Sequence, residues 1–251
     1  MEKIAETVPA GGGQAEQTPA RAGAREPGQA HGNTAGRARA RARRRNARGQ
    51  GVRLADDIVA GALALIERTG SDEAVTLRAV AREIGIAAPS IYAHFADREA
   101  IIMAVVVRVF DELSEAITKG QAAAGPDPVD RLVAGCEAYL TFGLEHPARY
   151  GVLFVPHAAS PEKYCAPVQL GARGPVLAFG AESFALLVEA IAECATAGAS
   201  ASTDPITDAT AVWVALHGTV TLRTALPGFP WPELHRFARQ IVLPLARVGD
   251  R

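Results

Sequence analysis

The segment from Thr76 to Arg98 constrains the fold of this chain more than any other part of the sequence. Its first half has apolar residues at the three- and four-residue spacing of one helix face, namely Leu77, Val80, Ala81 and Ile84. Gly85 then supplies the backbone freedom that ends such a helix. Ile91 and Phe95, four residues apart, give a second short helix its buried side. The segment therefore predicts two short helices joined by a glycine turn.

Two helices joined in this way are typical of a helix-turn-helix, whose second helix enters the major groove of DNA. The outward face of the predicted second helix carries Ser90, Tyr92 and His94. Thr76 and the backbone amides at the start of the first helix can meet a phosphate. We expect base or sugar contacts from polar Arg78 and Ser90 and from the apolar pair Ala88 and Pro89, which suit thymine methyl groups.

The end of the segment supports this interpretation by resemblance. Residues 91–95 read Ile-Tyr-Ala-His-Phe, and Ala-Asp-Arg-Glu follows. In order, spacing and residue type, residues 53–110 resemble the N-terminal domain of the TetR family of one-component transcriptional repressors, where a Leu-Tyr-Tyr-His-Phe run is common. The resemblance implies phosphate contacts for Tyr92, His94 and Arg98. On residue type alone, Tyr92 also fits a half-buried core aromatic and His94 a plain surface position.

Two departures from the family pattern affect these expectations. Ala93 stands in place of the second aromatic residue, which is expected to remove one phosphate contact. Ala87 stands where a helix-capping serine is frequent, which weakens the predicted cap.

Charge is distributed unevenly along the 251 residues. Residues 1–52 contain nine arginines and one lysine against four glutamates, a net of +6, so the total of −1 leaves −7 for the remainder. We predict that residues 1–50 form a disordered arm, because they have few large apolar side chains. Taken alone, an arginine run also fits a solvated or localisation tail. Beside a helix-turn-helix, we expect it to bind the duplex through Arg43, Arg44, Arg45 and Arg48, together with Arg53 just after the arm.

The remaining sequence predicts helices without β-alternation or internal repeats. Asp97 is a plausible cap for a long helix ending near Lys119, and a proline-rich connection spans 156–175. We therefore predict an all-α protein. Its parts are an arm at 1–50, a three-helix DNA-binding domain at 51–98 and a larger helical domain for effector binding and dimerisation at 99–251.

Residues 111–251 contain no motif that predicts catalysis. They lack a glycine-rich phosphate loop, a Gly-x-Ser-x-Gly turn and paired histidines at metal spacing. Cys136, Cys165 and Cys194 match neither a zinc site nor a disulfide framework. We expect no enzyme activity, no metal and no cofactor. Without a long apolar run or an apolar signal core, the sequence predicts a cytoplasmic, nucleoid-associated protein with no membrane partner.

The run from Trp213 to Gly218 resembles a signature of one subgroup of TetR-type C-terminal domains, named for its Trp, His and Gly. Trp213 and His217 lie four residues apart on one helix face. His217 is open to two interpretations: it bonds a neighbouring backbone or hydroxyl group, or it contacts a ligand directly. Further candidates for an effector pocket, any of which also fits a core position, are Val107, Tyr139, Phe142 and Phe184.

A homodimer follows from a separate argument. One recognition helix contacts too few base pairs to specify a site, whereas two related by a two-fold axis can bind a palindrome. The two long late helices offer the interface through Leu186, Leu187, Ile191, Trp213, Val220 and Leu222. Our hypothesis is a homodimeric repressor of double-stranded operator DNA, released by a small, largely apolar effector. Two alternatives remain open: a DNA-binding activator or architectural protein controlled by a protein partner, and, more remotely, an all-α enzyme.

Overall fold

The computed structural model describes residues 50–154 and 177–249. Within these ranges the chain forms eight α-helices: α1 (Gln50–Thr69), α2 (Leu77–Glu83), α3 (Arg98–Ala123), α4 (Pro128–Glu145), α5 (Pro147–Val152), α6 (Leu177–Thr196), α7 (Pro205–Ala225) and α8 (Leu234–Leu245). Among the described residues, β-pairing is limited to one isolated antiparallel bridge between Ser200 and Val248. The predicted all-α class is confirmed.

The amino-terminal helices begin and end where the sequence places its caps. Thr76 precedes α2, and its Oγ1 accepts a hydrogen bond from the Ala79 backbone N–H at 3.1 Å. Gly85 follows α2 with φ of +71°, a left-handed conformation that glycine adopts without strain. The predicted second helix of the pair is a 3₁₀ helix, Ala88–Ala93. Ala87, at the N-cap position, has no side-chain group that could accept a hydrogen bond from this helix. We attribute the 3₁₀ conformation of these six residues to the missing cap.

Helix α3 connects the helix-turn-helix to the rest of the molecule. Asp97 caps it, as predicted, by accepting a hydrogen bond from the Ala100 N–H at 2.8 Å. The expected end near Lys119 was wrong, because α3 passes through Gly120 and continues to Ala123. A Cβ at Gly120 would lie 2.9 Å from the Ala138 Cβ. This glycine lets α3 approach α4 closely and does not end the helix.

The core is continuous from the DNA-binding helices to the last helix. Fully buried side chains include Ile58 on α1, Leu113 on α3, Leu140 on α4 and Ile191 on α6. They belong to one apolar cluster that also contains Val242 on α8. Because the same core supports α1 and the bundle, a displacement in one is resisted by packing in the other.

Candidate nucleic-acid interface and buried cavity

The 3₁₀ helix Ala88–Ala93 presents one face to the core and one to the outside. Ile91 is fully buried and Phe95 is half-buried, as the four-residue spacing predicts. Tyr92, on the opposite side, is 64% exposed. The alternative interpretation of Tyr92 as a half-buried core aromatic is therefore wrong. Its ring and hydroxyl are available to a ligand outside the protein.

The other residues predicted to contact DNA lie around this helix. The exposed residues are Thr76, Arg78 and Pro89, and the partly buried ones are Ala88, Ser90 and His94. The backbone N–H of His94 ends the 3₁₀ helix by donating a hydrogen bond to Ile91 O at 2.8 Å. Arg53 is exposed near the start of α1. The remaining predicted contacts, from Arg43, Arg44, Arg45 and Arg48, lie outside the described residues.

Arg98 does not point away from the protein. Its Nε donates to Val75 O at 2.9 Å, and its Nη2 donates to Asp72 O at 2.6 Å and to Asp72 Oδ2 at 2.9 Å. Its Nη1 bonds Glu99 Oε1 at 2.7 Å. All three guanidinium nitrogens are thus used within the chain. This geometry argues against the predicted phosphate contact and gives Arg98 a structural role, fastening the start of α3 to the α1–α2 connection.

A cavity of about 440 Å³ lies between α3, α4, α6 and α7. Its described lining residues are Phe110, Leu113, Ile117, Gln121, Leu132, Gly135, Cys136, Tyr139, Leu153, Phe154, Gly180, Ala181, Ser183, Phe184, Leu187, Thr210, Trp213 and Leu216. The volume is within the range of small-molecule sites, and the lining is largely apolar and aromatic. Three of the six predicted pocket residues, Tyr139, Phe184 and Trp213, line it.

The other three predicted pocket residues lie elsewhere. Val107 is partly buried on α3, one turn before Phe110, where the cavity begins. Phe142 is buried one turn beyond Tyr139, and its ring packs edge-on against His146. His217 lies behind the cavity wall. Helical spacing identified the inward faces correctly, but it could not show how far the cavity extends along each helix.

His217 is part of a hydrogen-bonded chain of aromatic residues. Tyr150 Oη lies 2.7 Å from His217 Nδ1 and 2.7 Å from Tyr139 Oη. The hydroxyls of Tyr139 and Tyr150 and the Nδ1 of His217 thus form one continuous hydrogen-bonded series, in which each hydroxyl can donate or accept. Of the two interpretations of His217, the structure agrees with bonding to a neighbouring hydroxyl.

Burial determines the protonation states of these hydrogen-bonded side chains. It lowers the pKa of His217, raises the pKa of Tyr139 to about 12 and raises the pKa of Tyr150 well above its usual value. The imidazole and both phenols are therefore neutral at pH 7. A neutral imidazole that carries its proton on Nε2 can accept a hydrogen bond from the Tyr150 hydroxyl through Nδ1.

The position of the short helix α5 beside the cavity was not predicted from the sequence. Just beyond its last turn, Leu153 and Phe154 line the cavity. On the same helix, Arg149 Nε donates to Glu67 Oε1 on α1 at 2.5 Å, and Arg149 Nη1 donates to Glu112 Oε2 on α3 at 2.6 Å. No local pattern pairs residues 82 positions apart, so the sequence carried no signal for this contact.

Gln121 was also missed, although a signal existed. Phe110, Leu113 and Ile117 form an apolar stripe along α3, and Gln121 continues it one turn later. A polar residue within an inward-facing apolar stripe is the kind of departure that marks a binding site.

The fold joins a helix-turn-helix, through one long helix, to a helical bundle that contains a partly open, apolar cavity. That combination defines a helix-turn-helix transcriptional regulator with a carboxy-terminal helical domain. Two family profiles match the chain in this order. Residues 58–105 match bacterial regulatory proteins of the tetR family, and residues 132–242 match a tetracyclin repressor-like C-terminal domain.

Individual proteins agree with the profiles. An uncharacterized HTH-type transcriptional regulator of Mycobacterium tuberculosis is 32% identical over 124 residues, covering 49% of this chain and 55% of that protein. The chain thus spans about half the length of the curated relative it matches. A protein of unknown function from Rhodococcus sp. RHA1 superposes with a TM-score of 0.64 at 25% identity, over 77% of this chain and 94% of that one.

A third protein supports the fold alone. The TetR family transcriptional regulator PfmR from Thermus thermophilus superposes with a TM-score of 0.54 at 19% identity, over 77% of this chain and 99% of that chain. With the two profiles, these matches identify the chain as a member of the TetR family of transcriptional regulators. The Mycobacterium tuberculosis relative and PfmR are both named as transcriptional regulators. The Trp-His-Gly subgroup is not confirmed, since the matching profile is tetracyclin repressor-like.

Among the described residues, none of the helices is both long and apolar enough to cross a bilayer.

Proposed function

We propose that this protein is a homodimeric repressor that binds a palindromic operator and releases it when a small, largely apolar effector fills the cavity. The proposal rests on the position of α5, which lies between the cavity and the DNA-binding unit. Phe154 at its end contacts the space that a ligand would fill, while Arg149 binds Glu67 on α1 and Glu112 on α3. An effector that moves Phe154 would therefore displace α1 and α3.

Binding to DNA would use the exposed face of the helix-turn-helix. Tyr92 and His94 are suited to phosphate contact, and Arg78 and Ser90 to base edges. The test uses duplexes selected by the purified protein from a random-sequence pool. Tyr92→Phe should weaken binding to all sequences alike, whereas Arg78→Ala should relax base preference. A Tyr92→Phe variant with altered preference would contradict the assignment.

The arginine run is proposed to supply salt-dependent affinity. Each phosphate neutralised contributes about 0.9 to the slope of log affinity against log salt. Replacing Arg43, Arg44, Arg45 and Arg48 by alanine should therefore flatten that slope by up to about 4 if each contacts one phosphate. An unchanged slope would show that the arm does not neutralise the duplex.

Dimerisation through α7 is supported by an apolar face that is left exposed in the single chain. Val214, Leu222 and Ile206 are 59%, 49% and 44% exposed, although α7 also buries apolar residues on its other side. A helix that is apolar all round normally has partners on both sides. Two residues predicted for this interface, Ile191 and Val220, are excluded because they are fully buried within the subunit.

The coupling between the cavity and the operator is the factor by which the effector affinity differs between the free and the DNA-bound protein. Such couplings are typically 5- to 150-fold. Isothermal titration of an effector into the protein with and without operator measures this difference directly. Equal affinities would exclude the proposed release.

The alternative of an activator or architectural protein controlled by a protein partner shares the same DNA-binding surface. The cavity favours the ligand-controlled repressor, because a protein-controlled regulator needs no apolar cavity of about 440 Å³. Titration with an effector distinguishes the two, since only the repressor should lose operator affinity.

A further inference from the structure

The wall of the cavity carries no charge among the residues described. Of the 18 described lining residues, none is Arg, Lys, His, Asp or Glu. Its two weak acids are neutral, because burial raises the pKa of both Tyr139 and Cys136 to about 12. A carboxylate or phosphate placed against this wall would lose its hydration without gaining a countercharge. The electrostatics of the wall therefore favour an uncharged ligand.

Most polar groups in the wall are already used by the protein. Ser183 Oγ lies 2.7 Å from Ser114 Oγ, and Thr210 Oγ1 donates to Ile206 O at 2.8 Å. Tyr139 is held by Tyr150. Gln121 differs: within the described part of the chain, its carboxamide has no hydrogen-bond partner. It offers a ligand both an N–H donor and a carbonyl acceptor.

Gln121 occupies a defined position at one end of the cavity. A Cβ at Gly135 on α4 would lie 3.0 Å from both Cγ and Nε2 of Gln121, so this glycine makes room for the carboxamide. Eleven residues earlier on α3, Phe110 marks the other end, about 16 Å away along the helix. There Phe110 and Phe154 pack edge-on, as do Phe184 and Trp213.

We propose that the effector is an elongated, uncharged apolar molecule with a ring at one end, which packs among these four aromatic side chains, and a neutral hydroxyl, carbonyl or amide at the other end, which hydrogen-bonds Gln121. This inference depends on the proposed function only where it takes the ligand to be the effector that controls DNA binding. The chemical class follows from the wall itself.

Two probes that differ in one end group test the proposal. All-trans-retinol has a ring and a terminal hydroxyl, and all-trans-retinoic acid has a carboxylate in its place. Trp213 lies in the wall, and Trp231→Phe leaves it as the sole tryptophan of the chain. Quenching of Trp213 fluorescence in the full-length Trp231→Phe protein should show retinol binding at least ten-fold tighter than retinoic acid.

Substitutions at Gln121 test whether the polar end of the ligand binds there. Gln121→Leu keeps the volume but removes the hydrogen bond, and it should weaken retinol about five-fold. Gln121→Lys adds a countercharge and should tighten retinoic acid at least ten-fold. Gln240→Leu and Gln240→Lys are the matched controls: they make the same two changes at an exposed position on α8 that is not among the lining residues, and they should leave both affinities unchanged.

Equal affinities for the two probes, a preference for retinoic acid, or no binding of either would overturn the proposal. Failure of Gln121→Lys to improve retinoic acid would overturn the assignment of the polar end. The proposed function is judged by a separate measurement, operator affinity with retinol present. Selective retinol binding without loss of operator affinity would support the ligand class and contradict the proposed coupling.

Discussion

Arg149 Nε on α5 lies 2.5 Å from Glu67 Oε1 on α1, which joins a helix beside the cavity to the first helix of the DNA-binding unit. The same guanidinium reaches Glu112 on α3 at 2.6 Å. Three helices thus meet at one side chain. The guanidinium is a rigid planar fork that can hold two carboxylates in fixed relative positions, which a lysine cannot do equally well. The two ion pairs connect α5, which directly precedes the cavity-lining residues Leu153 and Phe154, to α1 and α3.

Removing the two ion pairs of Arg149 should increase the local mobility of α1 and cause only a small loss of overall stability. Arg149→Ala is expected to lower the free energy of unfolding by about 1 kcal/mol or less, as is usual for partly exposed ion pairs. Hydrogen exchange of the α1 amides should become faster. Arg108→Ala is the control, because Arg108 binds Glu112 at 3.0 Å on the same helix, α3. Equal exchange rates in α1 for both variants would contradict the role of Arg149.

Arg98 should contribute to folding stability and not to DNA contact. Arg98→Ala removes the hydrogen bonds to two backbone carbonyls and to the Asp72 carboxylate, so we expect a loss of about 1 to 3 kcal/mol. Thermal unfolding measures this loss. Tyr92→Phe, at an exposed position, should leave the melting temperature unchanged. An Arg98→Ala protein that keeps its melting temperature but loses operator affinity would restore the phosphate contact expected from the sequence.

Gly143 is predicted to tolerate no side chain. A Cβ there would lie 2.7 Å from Val220 Cγ1 and 3.0 Å from Tyr150 Cδ2. Gly143→Ala should destabilise the protein by about 1 to 3 kcal/mol through overpacking. Gly151→Ala places the same methyl in open space on α5 and should be neutral or stabilise by up to about 1 kcal/mol. Chemical denaturation compares the two, and similar stabilities would show that α4 can move away from α7.

His217 should make stability depend on pH below neutrality. Burial lowers its pKa in the folded protein, so below about pH 6.5 the unfolded chain binds more protons than the folded one. The contribution of neutral His217 is complete above that pH and declines as the pH falls toward the lowered folded pKa. His217→Gln keeps an acceptor for Tyr150 but cannot titrate. The melting temperature of the native protein relative to this variant should be lower at pH 5.5 than at pH 7.5, and a constant difference would contradict the assignment.

A charge on the exposed face of α7 should prevent dimerisation without unfolding the subunit. Val214 is 59% exposed in the single chain, so Val214→Glu disturbs no internal packing. We expect sedimentation velocity to show a shift from dimer to monomer, with helical content by circular dichroism preserved. Ala122→Glu adds the same charge at an exposed site on α3 and should remain dimeric. A Val214→Glu protein that stays dimeric would place the interface elsewhere.

Local sequence patterns predicted the elements that depend on local physics. The spacing of Ile91 and Phe95 identified the buried side of the 3₁₀ helix, and Thr76 and Asp97 were recognised as caps because capping is decided within four residues. The same patterns predicted Tyr139, Phe184 and Trp213 as inward-facing. They failed for Gly120, since a glycine that ends a helix and one that admits a neighbouring helix look alike in sequence.

The amino-acid sequence by itself determined the all-α class, the helix-turn-helix and the separation of a basic arm from an acidic remainder, because periodicity, capping and charge are properties of neighbouring residues. Tertiary structure alone decided that Arg98 bonds its own chain, that Arg149 meets Glu67 and that Gln121 lines a cavity whose described wall residues carry no charge. These outcomes depend on groups brought together from distant parts of the chain. Their partners are set by how helices pack, and packing has no signature in any single stretch of sequence.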